Sequence, residues 1–203
     1  MVMAVTKGEQ TRHSILTAAI ARFGREGFRA TSVADIARDA GVGGTVPYAY
    51  FPNKEALFLA ALDEDAAAVI EEGLDSVRDD TALGAWRQAL IFTLVGAIEQ
   101  HPLARRVLAG QEQDMVQRVL EIPALTELRK ACGERLREEQ GTGTVRPDVD
   151  PVAMGNGVVS IMLSLLMSVV QLGAAAAAVY ADDVVAVFEA ALGPLPDGGR
   201  RGR

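Results

Sequence analysis

The chain has 203 residues, of which 49% are hydrophobic and 23% are charged, a composition that indicates a globular protein with a buried core. The only cysteine, Cys132, excludes an intrachain disulfide and a thiolate metal cluster built from one chain. The net charge of −7 argues against a nucleic-acid partner for the chain as a whole, but residues 1–52 carry six basic and four acidic side chains and are mildly basic.

The first predicted helix covers about residues 11–25. Ile15, Ala19 and Phe23 recur at helical spacing and form an apolar stripe, which predicts one buried face. Gly27 is expected to end this helix, because glycine readily adopts the left-handed conformation found at helix C-termini.

Residues 31–58 have the pattern of a helix-turn-helix. Ser32 can cap a short helix, in which apolar side chains follow at helical spacing. Gly41 is expected to supply the left-handed residue that ends this helix. A tight glycine-containing turn then leads to a second short helix, predicted at about residues 45–51.

The second of these helices is the candidate for reading DNA. Tyr48 and Tyr50 stand beside the small Ala49, so their hydroxyl groups can approach a phosphate backbone. Such helices enter the major groove, where N-terminal residues meet base edges. Pro47 is compatible with this position, because N–H groups in the first helical turn lack intrahelical partners. On pattern alone, a helical domain that never binds DNA remains an alternative.

The middle of the chain is predicted to be helical. Asn53 can cap a long connecting helix at residues 54–77. Three consecutive carboxylates at residues 63–65 are expected to be solvated, because neighbouring side chains on a helix point in different directions. Further helices, the last of them interrupted by Pro123, are predicted at residues 79–101, 103–109 and 111–139.

Residues 151–181 contain no charged side chain. Asp150 and Pro151 suit the cap and first residue of a helix. The length of the run permits a membrane span, but its polar residues, the break at Gly173 and the lack of a flanking basic cluster argue against one. We expect a helix buried against its own domain and against a second subunit.

The chain is predicted to end with one more amphipathic helix. It covers residues 184–192, is capped by Asp182 or Asp183 and is ended by Gly193 and Pro194. The basic, glycine-rich tail that follows is expected to be disordered.

The sequence shows no convergent set of catalytic groups. His13 and His101 are the only histidines, they fall on different predicted helices, and neither a glycine-rich phosphate loop nor a metal-binding spacing is present. We therefore expect no enzymatic activity, no metal and no cofactor. Helix pairs can enclose a ligand pocket, although the side chains that would line it also suit an ordinary core. The candidates for this lining are Trp86, Phe92, Met115 and Met162.

Residues 11–62 resemble the TetR family of transcriptional regulators. The matching residues, in order and without gaps, are Thr11-Arg12, Ile15 to Ala19, Phe23, Gly27, Thr31-Ser32, Ile36-Ala37, Ala40 to Val42, Tyr48 to Phe51 and Lys54 to Leu57. So many matches at fixed spacing are far more specific than one glycine motif. The family usually has Gly-Thr-Leu before the first tyrosine, whereas this chain has Thr45-Val46-Pro47, which leaves its base preference open.

The resemblance implies an all-α fold with an N-terminal three-helix head that contains the helix-turn-helix, followed by a larger helical ligand-binding and dimerisation domain. The predicted boundaries are residues 1–52 for the head, 53–193 for the larger domain and 194–203 for the tail. In the family the last two long helices pair with their copies in a four-helix interface. The implied interface residues are Leu165, Leu166, Val169, Val184 and Phe188. The implied DNA-binding residues, of which Tyr48, Tyr50 and Lys54 match phosphate contacts, are Thr31, Gly43, Gly44, Thr45, Val46, Tyr48, Tyr50 and Lys54.

We predict a cytoplasmic, homodimeric transcriptional regulator without a membrane partner. The expected mechanism is a repressor that an unidentified small-molecule effector releases from a palindromic double-stranded DNA operator. The alternatives are a ligand-independent DNA-binding regulator and a membrane-associated helical protein that uses residues 151–181.

Overall fold

The computed structural model describes residues 6–77, 85–115 and 120–194, with the backbone alone for residues 174–182. These residues form helices and no strand, which confirms the all-α prediction. Packing divides the chain into two compact units, one of Met1–Glu72 with Gly96–Ala124 and one of Gly73–Val95 with Leu125–Arg203. The boundaries after residues 52 and 193 stay a prediction, and the predicted tail beyond Pro194 lies outside the described residues.

In the first unit, helix α1 (Lys7–Ala30) is longer than predicted at both ends. It begins early because Thr6 and Glu9 form a capping box, with the Thr6 side chain accepting from the Glu9 N–H and the Glu9 carboxylate accepting from the Thr6 N–H. Gly27 has φ +84°, so the predicted left-handed residue is present. It kinks the helix, which continues for one more turn.

Helix α2 (Val33–Asp39) follows with Ser32 as its N-cap, whose side chain accepts from the Asp35 N–H at 3.1 Å. Gly41 has φ +68°, as predicted for the turn. The next element is a 3₁₀ helix, Val46–Ala49, which is shorter than the helix predicted at about residues 45–51. It stays short because Pro47 lacks an N–H and Pro52 disfavours the helical conformation of the residue before it.

Helix α3 (Lys54–Asp75) starts where Asn53 accepts a hydrogen bond from the Ala56 N–H, as predicted. Helix α4 (Trp86–Ala97) is extended by a 3₁₀ turn, Ile98–Gln100, while the start of the predicted 79–101 helix falls among residues 78–84, outside the described residues. Helix α5 (Pro102–Leu108) and a 3₁₀ turn, Gln113–Met115, come next.

The expectation of three solvated carboxylates on α3 is wrong for Asp65. Its side chain is 5% exposed, and Oδ2 accepts from the N–H groups of Leu103 and Ala104 at 3.0 and 2.8 Å. Oδ1 lies 2.9 Å from His101 Nδ1. Asp65 thus caps the N-terminus of α5 from another helix, where a carboxylate satisfies unpaired N–H groups and the positive end of the dipole.

Helix α1 packs closely on α5 and on the loop after it. A Cβ atom at Gly24 would lie only 2.8 Å from Pro102 Cβ, so no larger residue fits there without movement. The buried Glu112 carboxylate accepts from the Phe28 N–H at 3.2 Å and from Arg106 Nε at 2.6 Å. These contacts fix the kinked end of α1 to residues 102–112.

The second unit contains α6 (Pro123–Gly141, from Leu125 onward), α7 (Pro151–Leu172) and α8 (Ala174–Leu192). Pro123 begins α6, because proline is well accommodated in the first helical turn, and residues 116–119 of the predicted 111–139 helix lie outside the described residues. The cap on α7 is confirmed, with Asp150 accepting from the Val152 N–H at 2.9 Å. Gly173 has φ +89° and separates α7 from α8, so Asp182 and Asp183 lie inside α8 and are not its caps.

A buried charge network stabilises the second unit. The Glu139 side chain is 1% exposed and accepts from Trp86 Nε1 and from Arg87, each at 3.0 Å. Nearby, burial raises the pKa of the Cys132 thiol to about 12, which suits a small structural residue. Helices α6 and α7 also approach closely, since a Cβ atom at Gly155 would lie 2.7 Å from the Gly133 nitrogen.

Helix α7 has the length and apolar composition of a membrane span. A core helix of a soluble protein has the same properties, and 33% of its most apolar window is buried in the protomer. Six residues on one face of α7, among them Met162, are buried within the protomer, which is the packing expected of a core helix.

Candidate nucleic-acid interface

Helix α2 is held on α1 by a charge network around Arg22. This guanidinium makes two hydrogen bonds to Asp39, at 2.6 and 3.1 Å, and two to Glu26, at 3.0 and 3.3 Å. The bidentate contact with Arg22 lowers the pKa of Asp39 below its usual value of 3.8. Because a lowered carboxylate pKa stabilises the fold only while the group is ionised, this contribution is present at neutral pH and is lost as the pH falls below about 3.8.

The turn after α2 presents bare backbone to solvent. Gly43 and Gly44 are exposed, and neither has a positive φ. A Cβ atom at Gly44 would meet nothing within 4 Å. The fold therefore does not require glycine at this position, whereas a molecule that approaches the backbone closely would.

The 3₁₀ helix adds exposed polar side chains beside this turn. Tyr48 and Tyr50 are 54% and 36% exposed. Thr45 is exposed and occupies the N-cap position without a side-chain capping hydrogen bond, so its hydroxyl is available to another molecule. Val46 is half-buried and Pro47 is buried, which anchors the turn. We call the exposed residues Gly43, Gly44, Thr45, Tyr48 and Tyr50 the turn surface.

The structure adds the first turns of α1 to this face, which the sequence analysis missed. The Tyr50 hydroxyl lies 3.8 Å from the position of a Cβ atom at Gly8. The exposed Arg12 holds its guanidinium 5.5 Å from the centroid of the Phe51 ring, next to Tyr50. Arg12 was recognised only as a family match, and its place beside the turn surface depends on tertiary packing.

Three of the predicted DNA-binding residues do not belong to the turn surface, and one of them is the half-buried Val46. Thr31 is 2% exposed, and its hydroxyl donates to the Gly27 carbonyl at 2.8 Å. Its side chain closes the last turn of α1 and is buried, whereas the prediction places it among the DNA-binding residues. Lys54 is half-buried, and its ammonium donates to the Thr31 carbonyl at 2.8 Å.

The predicted effector residues are divided between the two units. Trp86 and Met162 are buried in the second unit, and Met115 is buried in the first. Phe92 is 61% exposed, so its predicted place in a pocket is wrong. The second unit has a different cavity of about 380 Å³, bordered by apolar residues of α8 and by polar residues of α4. Its lining includes Val185, Phe188, Leu192, Arg87 and Gln88.

The predicted interface residues are mostly turned inward. Leu165, Leu166 and Phe188 are 6%, 8% and 4% exposed within a single protomer. They are therefore core residues of the protomer. The sequence could not show this, because the apolar pattern of a helix does not tell which of its faces meets its own domain. Val169 and Val184 are half-buried. Among the side chains that the structure describes, the large apolar ones that α7 and α8 leave exposed are Val152, Leu172 and Val187.

Among the residues the structure describes, no group of three or more His, Cys, Asp or Glu side chains is placed to hold a metal ion.

Comparisons with known proteins agree with this geometry. Residues 15–61 match the model of bacterial regulatory proteins of the tetR family. The HTH-type transcriptional regulator UidR of Escherichia coli (strain K12) is 23% identical over 146 residues, which cover 71% of this chain and 74% of UidR.

Solved structures share the fold. A protein of Mesorhizobium loti described as a TetR-family transcriptional regulator has a TM-score of 0.71 at 22% identity, with 93% of this chain and 99% of that chain covered. The transcriptional regulator FadR of Bacillus subtilis, solved in complex with stearoyl-CoA, has a TM-score of 0.67 at 17% identity, with coverages of 88% and 98%. The helix-turn-helix geometry and the family match identify residues 15–61 as a helix-turn-helix of the TetR family of transcriptional regulators, and the solved structures share the fold of the whole chain.

Proposed function

We propose that the protein is a homodimeric repressor that binds a palindromic operator through the turn surface and leaves it when a small molecule binds the helical body. The main support for DNA binding is the turn surface. There, two glycines that the fold does not require lie beside two exposed tyrosines and a threonine whose side chain makes no capping hydrogen bond. Backbone N–H groups and hydroxyls of this kind contact phosphate, while side chains at a helix N-terminus meet base edges. The cytoplasm is the proposed location.

The deciding experiment is selection of bound sequences from random duplex DNA by the purified full-length protein. We expect a palindromic consensus whose half-sites are about one helical turn, roughly 34 to 36 Å, apart, because a two-fold symmetric dimer presents two copies of the turn surface. Failure to enrich any sequence would reject operator binding. A consensus without a repeat would reject the symmetric dimer but keep DNA binding.

Tyr48 and Thr45 should have separable roles on the selected duplex. Tyr48→Phe removes a phosphate-contacting hydroxyl and should weaken binding to all duplexes alike. Thr45→Val removes a hydroxyl that can reach a base edge and should change the preference among sequences by about 1 to 3 kcal/mol for the base pair contacted. Affinities for a panel of single-base variants measure both. A uniform loss for Thr45→Val would make it a phosphate contact instead.

Effector release is supported by the FadR relative that binds stearoyl-CoA and by the partly apolar cavity of the second unit. We propose an effector with an apolar portion. Thermodynamic reciprocity provides its test, since operator DNA must weaken effector binding by the same factor by which the effector weakens operator binding. A compound that binds the protein and leaves operator affinity unchanged would support the ligand-independent alternative for that compound.

A further inference from the structure

Lys54, the first residue of α3, directs its charge into the protein. Its Nζ donates a hydrogen bond of 2.8 Å to the carbonyl oxygen of Thr31 and lies 4.4 Å from the centroid of the Phe28 ring. One ammonium thus contacts both sides of the junction at the end of α1, from the start of another helix.

The Thr31 carbonyl requires a hydrogen-bond donor from outside its own helix. Thr31 is the C-cap of α1, where carbonyl groups lack intrahelical donors and the helix dipole is negative. The residue is 2% exposed, so water has little access to it. A lysine ammonium is well suited here, because it supplies both a donor and a compensating positive charge.

The Phe28 ring fixes the ammonium from the other side. Phe28 packs edge-to-face on Phe58, with ring centroids 5.3 Å apart, and stacks on Phe23 at 6.2 Å. A cation over the face of an aromatic ring is attracted to it. Because this ring belongs to an aromatic cluster, the position of Lys54 is tied to the core of the first unit.

The consequence reaches the turn surface through the chain. Thr31 immediately precedes Ser32, the N-cap of α2, and α2 leads directly into the glycine turn. The direction in which α2 leaves α1 therefore depends on the junction that Lys54 holds. An ammonium engaged in this way is withdrawn from the phosphate contact that its sequence position suggests.

We propose that Lys54 is a positioning residue for DNA binding, which orients α2 and the turn surface through Thr31 and Phe28 and does not itself neutralise a phosphate. This role rests on the proposed operator binding. It predicts that Lys54 does not contribute to the salt dependence of DNA affinity, because only residues that displace counterions from DNA contribute to it.

The test compares Lys54→Met with the wild-type protein on the selected duplex, with affinity measured across a range of salt concentrations below the unfolding temperature. Loss of the junction reduces the fraction of heads in the binding conformation, so we expect affinity to fall by roughly tenfold at every salt concentration. Plots of the logarithm of the binding constant against the logarithm of the salt concentration should be parallel for the two proteins. A slope smaller by about 0.9 would mean a lost phosphate contact and would overturn the proposal. Unchanged affinity would overturn it as well.

Two further variants complete the experiment. Phe28→Leu leaves Lys54 in place and removes the ring beneath it, so it should also weaken binding in parallel; unchanged binding would contradict the positioning role. Arg12→Met removes an exposed cation beside the turn surface and should flatten the slope by about 0.9. If its plot also stays parallel to that of the wild type, Arg12 does not contact a phosphate, and the conclusion about Lys54 does not change.

Amide hydrogen exchange of residues 33–39 reads out the junction without DNA. We expect faster exchange in Lys54→Met, because local opening requires less free energy when α2 is less firmly attached. Unchanged exchange would count against the proposal. If the wild-type protein selects no duplex at all, operator binding fails, and the exchange result still decides whether Lys54 positions α2.

Discussion

Replacing Leu165 with aspartate should unfold the protein rather than merely separate its subunits. The side chain is 6% exposed within one protomer and belongs to the inward face of α7. An unpaired carboxylate in such a site costs several kcal/mol. That loss is comparable to the total stability of a typical domain, which is about 5 to 15 kcal/mol. Circular dichroism during heating would show the loss of cooperative unfolding.

Val187→Asp is the matched control, since it introduces the same charge on α8 at a side chain that is 58% exposed. This variant should fold like the wild type. If α8 contributes to the proposed dimer interface, its sedimentation should shift toward the monomer at micromolar concentration. A folded, monomeric Leu165→Asp protein would show instead that Leu165 faces the partner, as the family resemblance implies.

Replacing Glu139 with alanine should have the second large effect, a loss of about 3 to 5 kcal/mol of unfolding free energy. The variant leaves the guanidinium of Arg87 without its buried acid and the Trp86 N–H without its acceptor. Because an uncompensated buried charge is far more costly than a missing hydrogen bond at the surface, the whole second unit should be weakened. Chemical denaturation followed by Trp86 fluorescence measures the loss directly.

The neighbouring residue provides the control for Glu139. The Glu138 side chain is 70% exposed, and its only described contact is a long ion pair with Arg135 at 3.7 Å. Glu138→Ala should change stability by less than about 1 kcal/mol, because exposed ion pairs contribute little. Equal effects of the two replacements would mean that the charges around Glu139 are solvated in solution.

Local signals in the sequence predicted much of the fold. Ser32, Asn53 and Asp150 make the expected capping hydrogen bonds, and Gly41 has the expected left-handed conformation. Each of these depends on a few consecutive residues, so a sequence pattern contains the whole interaction. The short helix at Val46–Ala49 was predicted without its 3₁₀ geometry, because the sequence signals for 3₁₀ and α-helices are similar over four residues.

The buried acids could not be predicted in the same way. Asp65 caps a helix 38 residues later in the chain, and Glu139 bonds to Trp86 across 53 residues. Helical spacing indicates which side chains share a face, but a charged face gives no sign of being covered. The expectation that residues 63–65 are solvated was therefore wrong at the one carboxylate that meets the start of α5.

The candidate site was predicted in part for related reasons. The turn surface follows from residues that are adjacent in sequence, and the structure leaves it exposed. Thr31 and Lys54 match the family pattern equally well, yet they face each other across the α1–α2 junction. Phe92 is apolar but exposed. The sequence could not predict this, because the position of Phe92 in the helix does not reveal which side of α4 is covered.

The contacts between α1 and residues 102–114 determine how this head can be exchanged with those of related regulators. Gly24 lies against Pro102, the Phe28 N–H is bonded to Glu112, and Arg29 is paired with Asp114 at 3.0 Å. A chimera that transplants residues 1–52 alone would therefore contain α1 without the residues 102–114 that contact it. An engineered exchange of the head should therefore transplant α5 and its following loop together with it, or replace only the turn surface.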